Sequence, residues 1–131
     1  MIELPQIKVS FFFVGDEFSL SDVTKEMQIV PTKTRQKDSF PIKELAKTFW
    51  IIETDKENCK VVSWQFENLI KILTGKEKII NQICNKYKIK TEFCVTTWME
   101  NGDKPEMVLT KEIISFLASI NAEVGFDLYI D

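Results

Sequence analysis

The residues best placed to do chemistry sit in one short stretch. Between Pro31 and Lys47, five basic residues (Lys33, Arg35, Lys37, Lys43 and Lys47) stand against two acids, a local charge of +3 in a chain whose net charge is −3. Phe40, Phe49 and Trp50 lie beside them. Cations interleaved with aromatic rings suit an anion or an acidic partner, the rings supplying a stacking or anchoring surface. The plainer reading is a solvated loop whose rings turn inward. A second set, Glu53, Asp55 and Glu57, could do acid–base work or hold a divalent cation. The three carboxylates share a side only if a strand runs on through the turn, and no D-x-D-x-D-G loop is present, so a solvated face is expected. Asp127 and Tyr129 are two apart near the C-terminus, where period-two geometry puts them on one face with Gly125. They could line a groove, or hold an exposed strand together by a local hydrogen bond.

Other chemistry is excluded by composition. There is no histidine, so His triads, His bases and His metal sites are out. Cys59, Cys84 and Cys94 are odd in number and form no C-x-x-C, which fits reduced thiols in a cytoplasmic protein better than a disulfide frame or a zinc site. Cys59 lies between Lys56 and Lys60, but no base and orienter accompany it. No phosphate-binding loop, dinucleotide fingerprint or nucleophile elbow occurs. No catalytic residue, metal site or cofactor is therefore assigned. An acidic balance with pI near 5.1 argues against a nucleic-acid partner. The N-terminus lacks the basic and long apolar regions of a signal peptide, and no apolar run approaches a membrane span.

These residues need elements to position them. With 131 residues, 44% of them hydrophobic, the chain is expected to form a single domain over 1–131. Ile7 to Val14 alternates as a strand, with Ile7, Val9, Phe11 and Phe13 on its apolar face. Ser19 reads as the cap of a short helix, about Leu20 to Gln28, with Phe18 and Val23 as its staple. Residues 31–47 read as a long irregular surface loop. Thr48 to Thr54 reads as a strand and Asp55 to Asn58 as a polar turn. Ser63 is a cap candidate for a helix carrying Trp64, Phe66, Leu69, Ile70 and Leu73 inward, Gly75 a kink or break, and Ile79 to Tyr87 a second helical stripe. Trp64, Phe66 and Trp98 read as core packing. Ile89 to Met99 alternates as a half-buried strand, followed by a turn at Asn101-Gly102-Asp103. Thr110 caps a last helix with Ile113, Ile114, Phe116, Leu117 and Ile120 as its stripe, and Asn121 suits a left-handed end. In the final strand Ala122, Val124, Phe126, Leu128 and Ile130 are expected to point in, and Glu123, Asp127 and Asp131 out.

The order of these pieces resembles a bacterial family catalogued as a domain of unknown function, DUF4279. The resemblance rests on Phe13-Val14-Gly15-Asp16, on Gln28-Ile29-Val30-Pro31-Thr32-Lys33, and on Lys37-Asp38, where the family's glycine is missing. It continues through Phe49-Trp50-Ile51-Ile52-Glu53-Thr54 to the run Leu109 to Tyr129 with its Asp-x-Tyr ending. It implies a bacterial or phage protein with no established activity and no catalytic residue to carry over. An immunity role follows only by association.

The expectation is an α+β two-layer sandwich, with four or five mostly antiparallel strands and three or four helices on one face. Its function is expected to be non-enzymatic recognition of another protein, through Lys33, Arg35, Lys37, Trp50, Asp127 and Tyr129. The alternative is a small-molecule-sensing or regulatory domain. An enzyme ranks third.

Overall fold

The first strand decides the layout. In a computed structural model describing residues 4–100 and 103–130, β1 (Gln6–Gly15) lies in the middle of a six-stranded sheet. Its alternation separates two environments, and Ile7, Val9, Phe11 and Phe13 are all fully buried. β1 pairs antiparallel with β3 (Thr48–Glu53) on one side and with β5 (Lys90–Met99) on the other. β3 in turn pairs with β2 (Lys33–Arg35), and β5 pairs in parallel with β6 (Glu123–Ile130). The order is β2-β3-β1-β5-β6, while β4 (Glu57–Asn58) pairs with the start of β1.

Among the described residues there are four α-helices: α1 (Leu20–Met27), α2 (Val62–Leu73), α3 (Glu77–Tyr87) and α4 (Lys111–Ser119). α4 makes the crossover that a parallel β5–β6 pair requires. Their apolar stripes join the inward residues of β1, β3 and β5 in one core that includes Val23, Phe66, Leu69, Ile80, Ile113 and Trp50. Phe93 stacks on Phe66 at 5.0 Å and meets Phe11 edge-on at 5.2 Å. The protein is α+β with a mostly antiparallel sheet.

Local chemistry accounts for the helix ends. The Ser19 hydroxyl accepts from the Asp22 amide, and the Thr110 hydroxyl from the Ile113 amide. Each satisfies an orphan donor of the first turn. Asn121 takes φ 53° after α4, as expected, and Gly75 takes φ 90° between α2 and α3. Gly75 thus marks a break rather than a kink, because positive φ costs glycine little.

Several expectations are corrected. Six strands replace four or five. The segment 31–47 is not wholly irregular: Lys33–Arg35 forms β2, and two 3₁₀ turns follow at Lys37–Ser39 and Lys43–Leu45. Its side-chain pattern is too short and polar to announce a strand, whose hydrogen bonds come from β3. The polar turn at 55–58 includes β4. Ser63 does not cap α2; the cap position is Val61, which offers no side-chain acceptor, and Ser63 is buried inside the helix. That start sets the inward stripe at Val62, Phe66, Leu69 and Leu73, and leaves Trp64 62% exposed. Ile114 is exposed beside inward Ile113 and Leu117. The Asn101-Gly102 part of the expected turn and the outward placement of Asp131 lie outside the described residues.

Gly15 is required by close approach. A Cβ there would overlap the side chain of Ile89. Gly15→Ala is expected to destabilise the fold by about 1–3 kcal/mol, the usual cost of overpacking. Urea denaturation checks this, and pairing it with Ile89→Ala should cost less than the two single changes summed.

Candidate functional site

The sheet face away from the core carries the other half of each alternation. From β1 come Lys8, Ser10 and Phe12; register sets Glu53 opposite Ser10 and Ile51 opposite Phe12. β2 adds Lys33 opposite Ile51 and Arg35 opposite Phe49. On the other side Cys94 faces Ser10 and Thr96 faces Lys8, and Asp127 of β6 lies beside Thr96. Together with Phe40 these residues line a shallow groove of about 560 Å³.

Its floor is apolar. Phe49 packs edge-on against Phe12 at 5.8 Å and lies 6.0 Å from Phe40. Its charge is organised around Glu53, whose side chain is only 14% exposed. Lys8 Nζ lies 3.3 Å from one carboxylate oxygen and Lys33 Nζ 3.4 Å from the other, while the Ser10 hydroxyl donates at 3.1 Å. Burial alone would raise the Glu53 pKa, but the two ammonium charges and the hydrogen bonds from Lys8 and Ser10 outweigh it and hold the carboxyl below its ordinary 4.5. A carboxyl depressed by folding stabilises above its unfolded pKa, and that stabilisation is lost as pH falls through the lower folded value. The melting temperature of the native protein is therefore expected to fall more steeply between about pH 5 and pH 3 than that of Glu53→Gln, as calorimetry at stepped pH would show. Equal slopes would mean Glu53 is not held ionised.

Arg35 is held differently. Its guanidinium lies 3.7 Å from the centroid of Phe40, and its Nε donates to the Ser39 hydroxyl at 3.2 Å. Among the described residues no carboxylate pairs with it. Stacking and one hydrogen bond fix the plane while the terminal amino groups stay available, which is the geometry for a bidentate carboxylate contact.

The expected site residues divide. Lys33, Arg35 and Asp127 line this groove. Tyr129 stands at its edge, where its hydroxyl donates to Asp127 Oδ2 at 3.2 Å and its ring stacks on Trp98 at 5.7 Å with planes 8° apart. The Asp127 carboxylate raises the Tyr129 hydroxyl above its usual pKa. Lys56 Nζ lies 3.9 Å above the Trp98 ring, so Trp98 belongs to this open face and not to the core. Lys37 turns away to Asp16 and Glu17, at 3.0 and 3.3 Å, and pins the loop to the end of β1. Those two carboxylates raise its pKa. Trp50 is corrected outright: it is fully buried on the core side, and its indole N–H donates to the Thr24 hydroxyl at 2.9 Å. Phe49, named beside the basic residues, does line the groove, whereas Lys8, Phe12 and Thr96 are not among the expected site residues, although the alternation of β1 already puts Lys8 and Phe12 on the outer face.

The remaining chemistry candidates stay apart. Glu57 accepts from Gln65 at 2.8 Å, away from Glu53. Among the described residues no three His, Cys, Asp or Glu side chains are grouped to hold a metal. Burial pushes the Cys84 thiol up to about 11 and raises Cys94, which makes both poor nucleophiles at neutral pH. Among the described residues no helix is long and apolar enough to cross a membrane.

Fold and site define an α+β protein with a mostly antiparallel sheet that carries an exposed groove of cations beside aromatic rings. The chain belongs to the family described as domain of unknown function (DUF4279), which matches residues 5–131. No curated protein and no solved structure matches the chain.

Proposed function

We propose that this protein is a non-enzymatic binding module that recognises an acidic segment of another protein on its open sheet face. The observation that carries the reading is Arg35: a cation held flat on Phe40, with no carboxylate partner among the described residues, at the rim of an apolar floor. A carboxylate of the partner would take the guanidinium fork, and an adjacent apolar side chain would cover Phe12 and Phe49. Lys33 adds a second positive charge, already shared with Glu53. The acids Glu53 and Asp127 would select against a uniformly acidic surface.

The groove's volume lies within the range of small-molecule sites, which supports a sensing domain as the second reading. Its shallow, strand-built shape favours a macromolecular segment.

The test is a tagged pull-down from lysate of the native host at low and moderate salt, read by mass spectrometry. The expected result is one stoichiometric protein that is retained better at low salt and lost with Arg35→Glu. A partner that is a toxin encoded beside this gene, with growth rescued on co-expression, would make the module immunity-type. Recovery unaffected by Arg35→Glu would remove the groove from the interaction. No partner at either salt, with a metabolite that raises the melting temperature, would replace this reading with the sensing one.

A further inference from the structure

The two edges of the sheet are built differently. β2 is three residues long and carries Lys33 and Arg35. Short length and positive charge are the usual ways to stop an edge from pairing with another chain. β6 is eight residues long and carries no lysine, arginine or proline. Its alternate residues Val124, Phe126, Leu128 and Ile130 lie beside Phe93, Val95, Thr97 and Met99, on the core side of the sheet. Val124 packs against the core. Beyond it, Phe126, Leu128 and Ile130 are 46%, 45% and 68% exposed. They were expected to point in and do face that side, but the helical layer does not reach them. On the crossover helix that serves this edge, Ile114 is 53% exposed as well.

We infer that β6 is a homodimerisation edge, pairing antiparallel with β6 of a second copy across a two-fold axis normal to the sheet. The apolar stripe of the strand matches itself in registers centred on one of its own residues, and we take the one centred on Leu128. With Leu128 opposite Leu128 of the second copy, Phe126 meets Ile130 and Asp127 meets Tyr129. The apolar stripe then lies against itself, and each carboxylate faces a phenolic hydroxyl. Centring the pair on Asp127 instead would oppose two carboxylates, which is unfavourable for directly facing residues. A two-fold axis normal to the sheet keeps both helical layers on one side. Phe126, Leu128 and Ile130 of both copies are then enclosed between them, and the free backbone groups of β6 find partners. One strand and its flanking residues fall short of a standard interface of about 800 Å² per partner, so the dimer is expected to be concentration-dependent. Asp127 belongs to both features, so pairing sets the two grooves on one continuous sheet face. The inference stands on the edge alone and does not require the proposed partner.

The test is the mass of the purified full chain by sedimentation equilibrium from about 10 µM to about 1 mM, a range that brackets a weak dimer. The expected result is a shift from 15.3 kDa to twice that mass. Leu128→Lys should stay monomeric with an unchanged circular dichroism spectrum and melting profile. Leu128→Cys should give an interchain disulfide on mild oxidation that the native protein, with its three cysteines, does not form. A monomer throughout the range would overturn the inference. So would a dimer that folded Leu128→Lys still forms, or a series of growing species, which would mean β6 joins the opposite edge of the next copy.

Discussion

Trp50→Ala is expected to destabilise the fold strongly rather than to impair binding directly. Trp50 is fully buried, packs against Phe13 at 5.5 Å, and donates its indole N–H to Thr24 across the interface between β3 and α1. Removing it leaves a cavity in the core and takes away the N–H that the Thr24 hydroxyl accepts, leaving that hydroxyl only its bond to the Leu20 carbonyl at 3.1 Å. Large-to-alanine changes at such sites cost about 3–5 kcal/mol, against a total stability of about 5–15 kcal/mol for domains of this kind. Trp50→Phe keeps most of the volume and loses the hydrogen bond, so a cost of about 1–2 kcal/mol is expected. Urea denaturation of the three proteins checks both values. Had Trp50 been a contact residue, Trp50→Ala would leave the midpoint where it is and abolish partner capture instead.

The second large effect is on affinity. Reversing both Lys33 and Arg35 to glutamate is expected to weaken partner binding by at least about 100-fold, since truncating or opposing a charge-assisted contact commonly costs 2–5 kcal/mol or so. The fold should survive, because both residues lie exposed on a short edge strand. Arg35→Lys should lose part of the affinity, because an ammonium on a flexible stem does not reproduce the guanidinium fork fixed on Phe40. The native complex should weaken as salt rises, and the double variant should lose most of that dependence. Lys37→Glu gives a contrast. Lys37 is tied to Asp16 and Glu17 outside the groove, so its reversal should leave affinity nearly unchanged. Isothermal titration calorimetry against the captured partner measures all four proteins.

How much of this could be read in advance depends on what alternation can and cannot say. β1 was fully legible because only one of its faces is uniformly apolar. β3 was legible as a strand but not in orientation: Phe49 and Ile51 on one face match Trp50 and Ile52 on the other, and the pairing of Phe13 with Trp50 decides which goes inside. The pattern of β3 alone therefore leaves both readings of Trp50 open, an anchoring ring beside the basic loop or a ring turned inward. β2 was illegible because Lys33, Thr34 and Arg35 carry no apolar period, and they become a strand only through their pairing with β3. β6 shows the other limit. Alternation correctly placed Phe126 and Leu128 on the core-facing side, but it cannot tell where the covering layer ends. That Lys33, Arg35 and Asp127 line one groove depends on the whole sheet, from one edge to the other, and no local pattern encodes it.

The claim that most needs testing is that the open sheet face is the binding surface. A photo-crosslinking residue placed at Phe40, at Thr34, or at Lys71 on the exposed side of α2 can report on it in living cells of the native host. The account predicts one covalent adduct of the same mass from Phe40 and Thr34, and none from Lys71. An adduct from Lys71 with none from the two groove positions would contradict it, and would move the binding surface to the helical face.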